Sequence, residues 1–200
     1  MTQPFLAAFS GTAVEFFETI VIAYAVLRAG HAREALGAVV LGHAVMFMLA
    51  TAFFPLYRVL PMDGLTLLAA LLLTAMGLHW TQKSLRRMAR QERPRWATDP
   101  MGKVNVAEAT TYGFSFLVFA VMLKSSLIEA AEILVVVVPV GAASQAWSQV
   151  ILGVSTGIAV VSLAALVLHG QLRKIPEVKL KLAAGLLLGA LGVSWLVELV

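Results

Sequence analysis

Six apolar runs, at roughly 5–26, 35–57, 61–82, 112–138, 145–168 and 176–199, are each long enough to cross about 30 Å of hydrocarbon as a helix. With 60% of its 200 residues hydrophobic and 13% charged, the chain is too apolar for an ordinary soluble domain. A backbone in hydrocarbon must satisfy its own hydrogen bonds, and these runs lack the short alternation of barrel strands. The expected fold class is therefore all-α, a polytopic membrane bundle of six transmembrane helices. The first run has no Lys or Arg before it, carries two Glu and lacks a small-residue cleavage site, so it does not read as a removable signal peptide. Cysteine is absent, which excludes disulfides, thiolate zinc sites and iron–sulfur ligation.

The net charge of +4 is informative through its placement. Arg28 and Arg33 fall between the first two runs. Lys83, Arg86, Arg87, Arg90, Arg93, Arg95 and Lys103 fill the central loop, and Arg173, Lys174, Lys179 and Lys181 cluster before the sixth run. Placing these three segments inside puts thirteen of the fifteen basic residues in the cytoplasm, leaving Arg58 outside and Lys124 within a helix. The expectation is a multi-pass protein with both termini extracytoplasmic and the basic 83–103 loop cytoplasmic. That loop reads as a positive-inside anchor, with contact to anionic lipid as the functional alternative, and nucleic acid is not an expected partner.

An internal repeat organises the spans. Pro61 to Trp80 aligns without a gap to Pro176 to Trp195, and ten of the twenty positions match, among them Pro61/Pro176, Gly77/Gly192 and Trp80/Trp195. Val39-Val40-Leu41-Gly42 answers Val150-Ile151-Leu152-Gly153 in the second span of each half. The expected organisation is a first three-helix repeat at 1–82, a basic linker at 83–104 and a second repeat at 105–200. Because three is odd, the second copy enters from the opposite face. Such inverted repeats place transport sites near the midplane, at the interface of the halves.

Glu15 and Glu18 lie three residues apart within the first run, and Glu129 and Glu132 repeat that spacing in the fourth. A carboxylate at the bilayer centre costs roughly 2.5–3.5 kcal/mol even on a lenient insertion scale, so four of them call for a function. Residues three or four apart share a helix face. Gly11, Thr12, Glu15, Glu18, Thr19 and Ile22 therefore form one stripe, and Ser125, Ser126, Glu129 and Glu132 its counterpart. Carboxylates with hydroxyls suit hard cations, and a proton competes with a metal ion for the same oxygens. The candidate metal ligands are Glu15, Glu18, Glu129 and Glu132, with Thr12, Thr19, His43, Lys124, Ser125 and Ser126 as auxiliaries. Lys124 either pairs with the glutamates or snorkels to the cytoplasm. His43 is either a ligand, which would favour manganese, iron or zinc, or a hydrogen-bonded bundle residue. His79, beside Trp80, reads as interfacial, and Gln145, Ser148 and Gln149 as a polar helix end or an outer vestibule.

The acidic i,i+3 pairs in the first and fourth helices, with the Leu-Gly steps and the closing helix Lys181-Leu182-Ala183-Ala184-Gly185, resemble the small calcium/manganese–proton exchangers of the lysine-exporter superfamily. That family's Glu-x-Gly-Asp motif is followed by a basic and a hydroxyl residue, where this chain has Glu15-Phe16-Phe17-Glu18-Thr19 and Glu129-Ala130-Ala131-Glu132-Ile133. The acid spacing is also similar to the Arg-Glu-x-x-Glu of high-affinity iron permeases, with Val14 and Ile128 at the arginine positions. The resemblance implies a proton-coupled secondary transporter of a metal cation (manganese, calcium or iron), with no resident cofactor. No phosphate-binding glycine loop, His-Glu-x-x-His motif or Glu-x-x-His pair points to an enzyme. The expected partners are the metal cation, protons and membrane lipid, with a homo-oligomer left open. The alternative is a non-transporting membrane scaffold or accessory subunit.

Overall fold

The structure, a computed structural model, describes residues 2–55, 59, 61–93, 113–168, 171–172 and 175–199. Arg58, Arg95, Lys103, Arg173, Lys174 and positions 94–104 of the expected linker lie outside the described residues. Among the described residues six helices follow in order: α1 (Gln3–Arg28), α2 (Ala32–Phe53), α3 (Met62–Ala89), α4 (Phe116–Ser144), α5 (Trp147–Val167) and α6 (Glu177–Glu198). All six are long and apolar enough to cross a membrane, and the protein is a multi-pass helical membrane bundle.

Local chemistry sets several helix ends. Pro4 sits in the first turn of α1, where its missing N–H costs no intrahelical bond. Gly30, at φ +96°, turns the chain between α1 and α2 in a conformation that side chains rarely adopt. Ser115 caps α4, its Oγ accepting from the Val118 N–H at 3.4 Å. Two spans differ from expectation. Helix α3 continues past the apolar run through Ala89, so Lys83, Arg86 and Arg87 stand on a helix rather than in the linker. Its charged last turns are built from good helix formers, and hydropathy reads the end of the apolar run rather than the end of the helix. Helix α4 runs through the buried Pro139 to Ser144, where Gln145 adopts the left-handed conformation and stops it.

The most extensive packing joins α3 to α6, α1 to α5, and α2 to α4, and α1 also packs on α4. Glycines allow the closest approaches. Gly77 and Gly185 face each other across α3 and α6, and a Cβ on Gly192 would strike Thr74 and the Ala70 carbonyl. These contacts run antiparallel. Gly153 meets the backbone of Phe5 and Phe9, and Gly157 meets Phe9 and Ala13, so α5 lies parallel to α1. Gly42 abuts Ser126 while Gly37 faces Phe119, so α2 and α4 are parallel too. Outward faces are apolar: Val40, Phe47, Ile151, Leu163 and Val197 are all exposed, as suits a surface in contact with lipid.

Candidate functional site

Sixteen residues of α1 are buried, and they include the whole expected stripe of Gly11, Thr12, Glu15, Glu18, Thr19 and Ile22. Helix α1 is enclosed by α4, α5 and α6, which turns its polar face inward. Glu15 lies at the middle of α1 and is fully buried; Glu129 lies at the middle of α4 and is also buried. Glu132, one turn further on, is part-exposed. Oxygens of Glu15, Glu129 and Glu132 approach within 4.8 Å of one another. Glu15 Oε2 and Glu129 Oε2 have no hydrogen-bond partner among the described residues.

The cation of the cluster is Lys181, which the sequence placed with the loop charges before the sixth helix. It stands one turn into α6, buried, with Nζ 2.9 Å from Glu15 Oε1, 2.9 Å from Glu18 Oε1 and 3.7 Å from Glu132 Oε2. Helical phase explains its position. Lys181, Ala184, Gly185, Leu188, Gly192 and Trp195 form the buried stripe of α6, whereas Lys179 is turned outward. Trp80 closes the cluster from α3. It is fully buried, donates from Nε1 to Glu132 Oε2 at 3.2 Å, and lies with its ring centre 5.1 Å from Lys181 Nζ. Neither Lys181 nor Trp80 was singled out as a site residue by sequence reasoning. Four carboxylates face one ammonium, an excess of three formal negative charges when all are ionised.

Lys124 does not take part. It is exposed and forms no ion pair among the described residues. Five residues separate it from Glu129, which at 100° per residue puts it about 140° round the helix from that carboxylate. This orientation disfavours the first of the two alternatives for Lys124, pairing with the glutamates. Of the hydroxyls, Ser126 is buried but turned to α2, where its Oγ lies 3.2 Å from His43 Nδ1 and bonds the Val39 carbonyl. Ser125 is half-buried. Thr19 bonds back to the Glu15 carbonyl at 3.2 Å, while the buried Thr12 Oγ1 has no hydrogen-bond partner among the described residues. His43 Nδ1 lies 3.0 Å from the Val39 carbonyl, and its ring packs edge-on against Phe16. It is not in the carboxylate group, and its Nε2 is buried without a hydrogen-bond partner among the described residues. His79 is exposed, and Gln145 terminates α4 by donating to the Ala142 carbonyl.

A second polar connection ties the chain at the basic end of the bundle. Arg93, just beyond α3, forms a two-pronged pair with the buried Glu177 at the start of α6, with contacts of 2.9 and 2.7 Å. This hydrogen bonding to Glu177 raises the already high pKa of Arg93. At the same end Glu34 accepts from the Ser115 N–H at 2.7 Å and lies 3.4 Å from His31, joining the start of α2 to that of α4. Comparison with protein-family models, with curated proteins and with solved structures finds no match to this chain.

Proposed function

We propose that the protein is a secondary transporter of a metal cation, exchanging it for protons at Glu15, Glu129 and Glu132, with Glu18 completing the acidic cluster. The observation that carries this reading is the meeting of three carboxylate oxygens, from two helices, within 4.8 Å at the middle of the bundle. Three oxygens no more than 4.8 Å apart share a point no more than about 2.8 Å from each, so a small inward movement of the side chains lets one calcium ion, with bonds of roughly 2.4 Å, touch all three. The donors are all oxygen, since His43 stands apart, and this favours calcium or manganese over softer ions. Protons and metal share the carboxylate oxygens, which is the chemistry exchange requires.

The inverted-repeat reading gains support from the packing. Exchanging α1, α2 and α3 with α4, α5 and α6 converts the α1–α5 pair into α4–α2 and maps α3–α6 and α1–α4 onto themselves. Basic residues at the ends of α1 and α3 and the starts of α2 and α6 support a cytoplasmic assignment for that face. There, Lys83, Arg86, Arg87 and Arg90 line one recess at the end of α3, suited to anionic lipid headgroups.

The scaffold reading draws on one observation, that Lys181 engages three of the four carboxylates and so provides a structural ion network. Reconstituted vesicles containing a pH dye separate the two. With a manganese or calcium gradient, the transporter moves protons against the metal, and Glu15→Gln, Glu129→Gln and Glu132→Gln each lower the flux at least about tenfold in folded protein. Flux absent from the wild type, or unaltered in all three variants, removes the transport reading.

A further inference from the structure

We propose that the Lys181 ammonium is a tethered competitor for the transported cation: it occupies the place where the ion must bind, and binding requires it to leave. This rests on the transport reading of the carboxylate cluster. Its ammonium lies against Glu15 and Glu132, two of the three carboxylates able to close on one ion. An ion held at about 2.4 Å from oxygens of those carboxylates would stand within several ångströms of Nζ, where two positive charges in a water-poor interior repel strongly. Both cannot be held at once.

The four glutamates accordingly divide their work. Glu129 forms no ion pair with Lys181; its carboxyl lies against that of Glu15 and its Oε2 is buried without a hydrogen-bond partner among the described residues, so it is the member of the group left to the incoming ion. Glu18 lies outside the three-oxygen group and accepts from Lys181 at 2.9 Å, so it holds the ammonium. Glu15 and Glu132 serve whichever cation is present. Trp80 marks the same place from the other side, since it donates to Glu132 and presents its ring to Nζ. Such a device keeps the site from holding a divalent ion too tightly, because the ammonium returns as the ion departs.

The test is equilibrium Mn²⁺ binding to the purified full-length chain, read from the signal of the free ion. Lys181→Met combined with Glu18→Gln removes one positive and one negative group, keeps the three-carboxylate set, and avoids leaving a buried acid without its partner. The double variant binds Mn²⁺ at least about tenfold tighter than wild type, whereas Lys181→Arg, which keeps the charge, binds no tighter. Acylation of Lys181 by a membrane-permeant reagent, followed by mass spectrometry, provides a second reading on the wild type. Saturating Mn²⁺ accelerates it. Mn²⁺ binding that Glu129→Gln abolishes but the double variant leaves unchanged overturns this inference alone, as does acylation indifferent to Mn²⁺. Absence of binding in both wild type and double variant removes the transport site and the inference together.

Discussion

Trp80 and Glu132, 52 residues apart in the chain, meet where α3 crosses α4, the indole N–H donating to the carboxylate at 3.2 Å. The corresponding tryptophan of the repeat, Trp195, donates instead to the neutral amide oxygen of Gln3. A hydrogen bond to a charged group contributes roughly 1.5–3 kcal/mol against about 1 for a neutral pair. Trp80→Phe is therefore expected to lower stability more than Trp195→Phe, by about 1 kcal/mol. Thermal unfolding of both variants in one detergent measures this, and equal losses contradict it.

Gly77 and Gly189 lie on the contact between α3 and α6 but tolerate a side chain differently. A Cβ on Gly77 would collide with the Gly189 backbone, while one on Gly189 finds its nearest neighbour at 3.8 Å. Gly77→Ala is expected to cost about 2 kcal/mol or more through overpacking. Gly189→Ala is expected to be neutral or to add up to about 1 kcal/mol through helix propensity. Yield of folded protein and melting temperature should rank them in that order.

Arg93 and Glu177 offer a double-mutant cycle. The guanidinium is 42% exposed, so solvent weakens the pair despite its two-pronged geometry. Arg93→Ala with Glu177→Gln is expected to give a coupling of about 1 kcal/mol. Arg93→Lys should lose much of it, because an ammonium cannot engage both oxygens in parallel. A coupling indistinguishable from zero shows that the contact does not hold α3 to α6.

Lys124 and Lys181 make opposite predictions from the same residue type. Lys124 is exposed on the outer face of α4, so Lys124→Met is expected to leave metal affinity within about twofold of wild type. A tighter site in that variant would place the ammonium in the cluster after all, against the helical phase.

The absence of native cysteine provides a clean background for topology. Thr2 and Gln91 are both exposed, Thr2 before α1 and Gln91 just beyond the basic end of α3. Thr2→Cys should react with an impermeant thiol reagent from the extracytoplasmic side, and Gln91→Cys only after the membrane is opened. The reverse pattern inverts the orientation.

Much of the bundle was legible because hydropathy over span-length windows reports burial in lipid directly, and each of the six helices overlaps the apolar run that predicted it, with α3 and α4 continuing past theirs. The glutamates were legible for a related reason, since carboxylates stand out in an apolar run and their three-residue spacing fixes a common face. Lys181 was not read as part of the site, because proximity to other basic residues concealed its helical phase. Counting by threes and fours from Trp195 back through Gly192, Leu188 and Gly185 leads to Lys181, so the signal was present. The same counting separates Lys124 from Glu129. Trp80 matched Trp195 as a repeat marker, but its bond to Glu132 depends on how α3 meets α4, which no local pattern encodes.

Glu15 and Glu129 occupy the middles of their helices, and this depth has an electrical consequence. On the proposed transport reading, an ion reaching them from either face has crossed about half of the membrane voltage. One elementary charge across the full potential corresponds to about 2.3 kcal/mol per 100 mV, so half the drop acting on a divalent ion is again about 2.3 kcal/mol. At 100 mV, the ion therefore reaches the carboxylates with an apparent affinity roughly 50-fold higher from the positive side than at zero voltage, and lower by the same factor from the negative side.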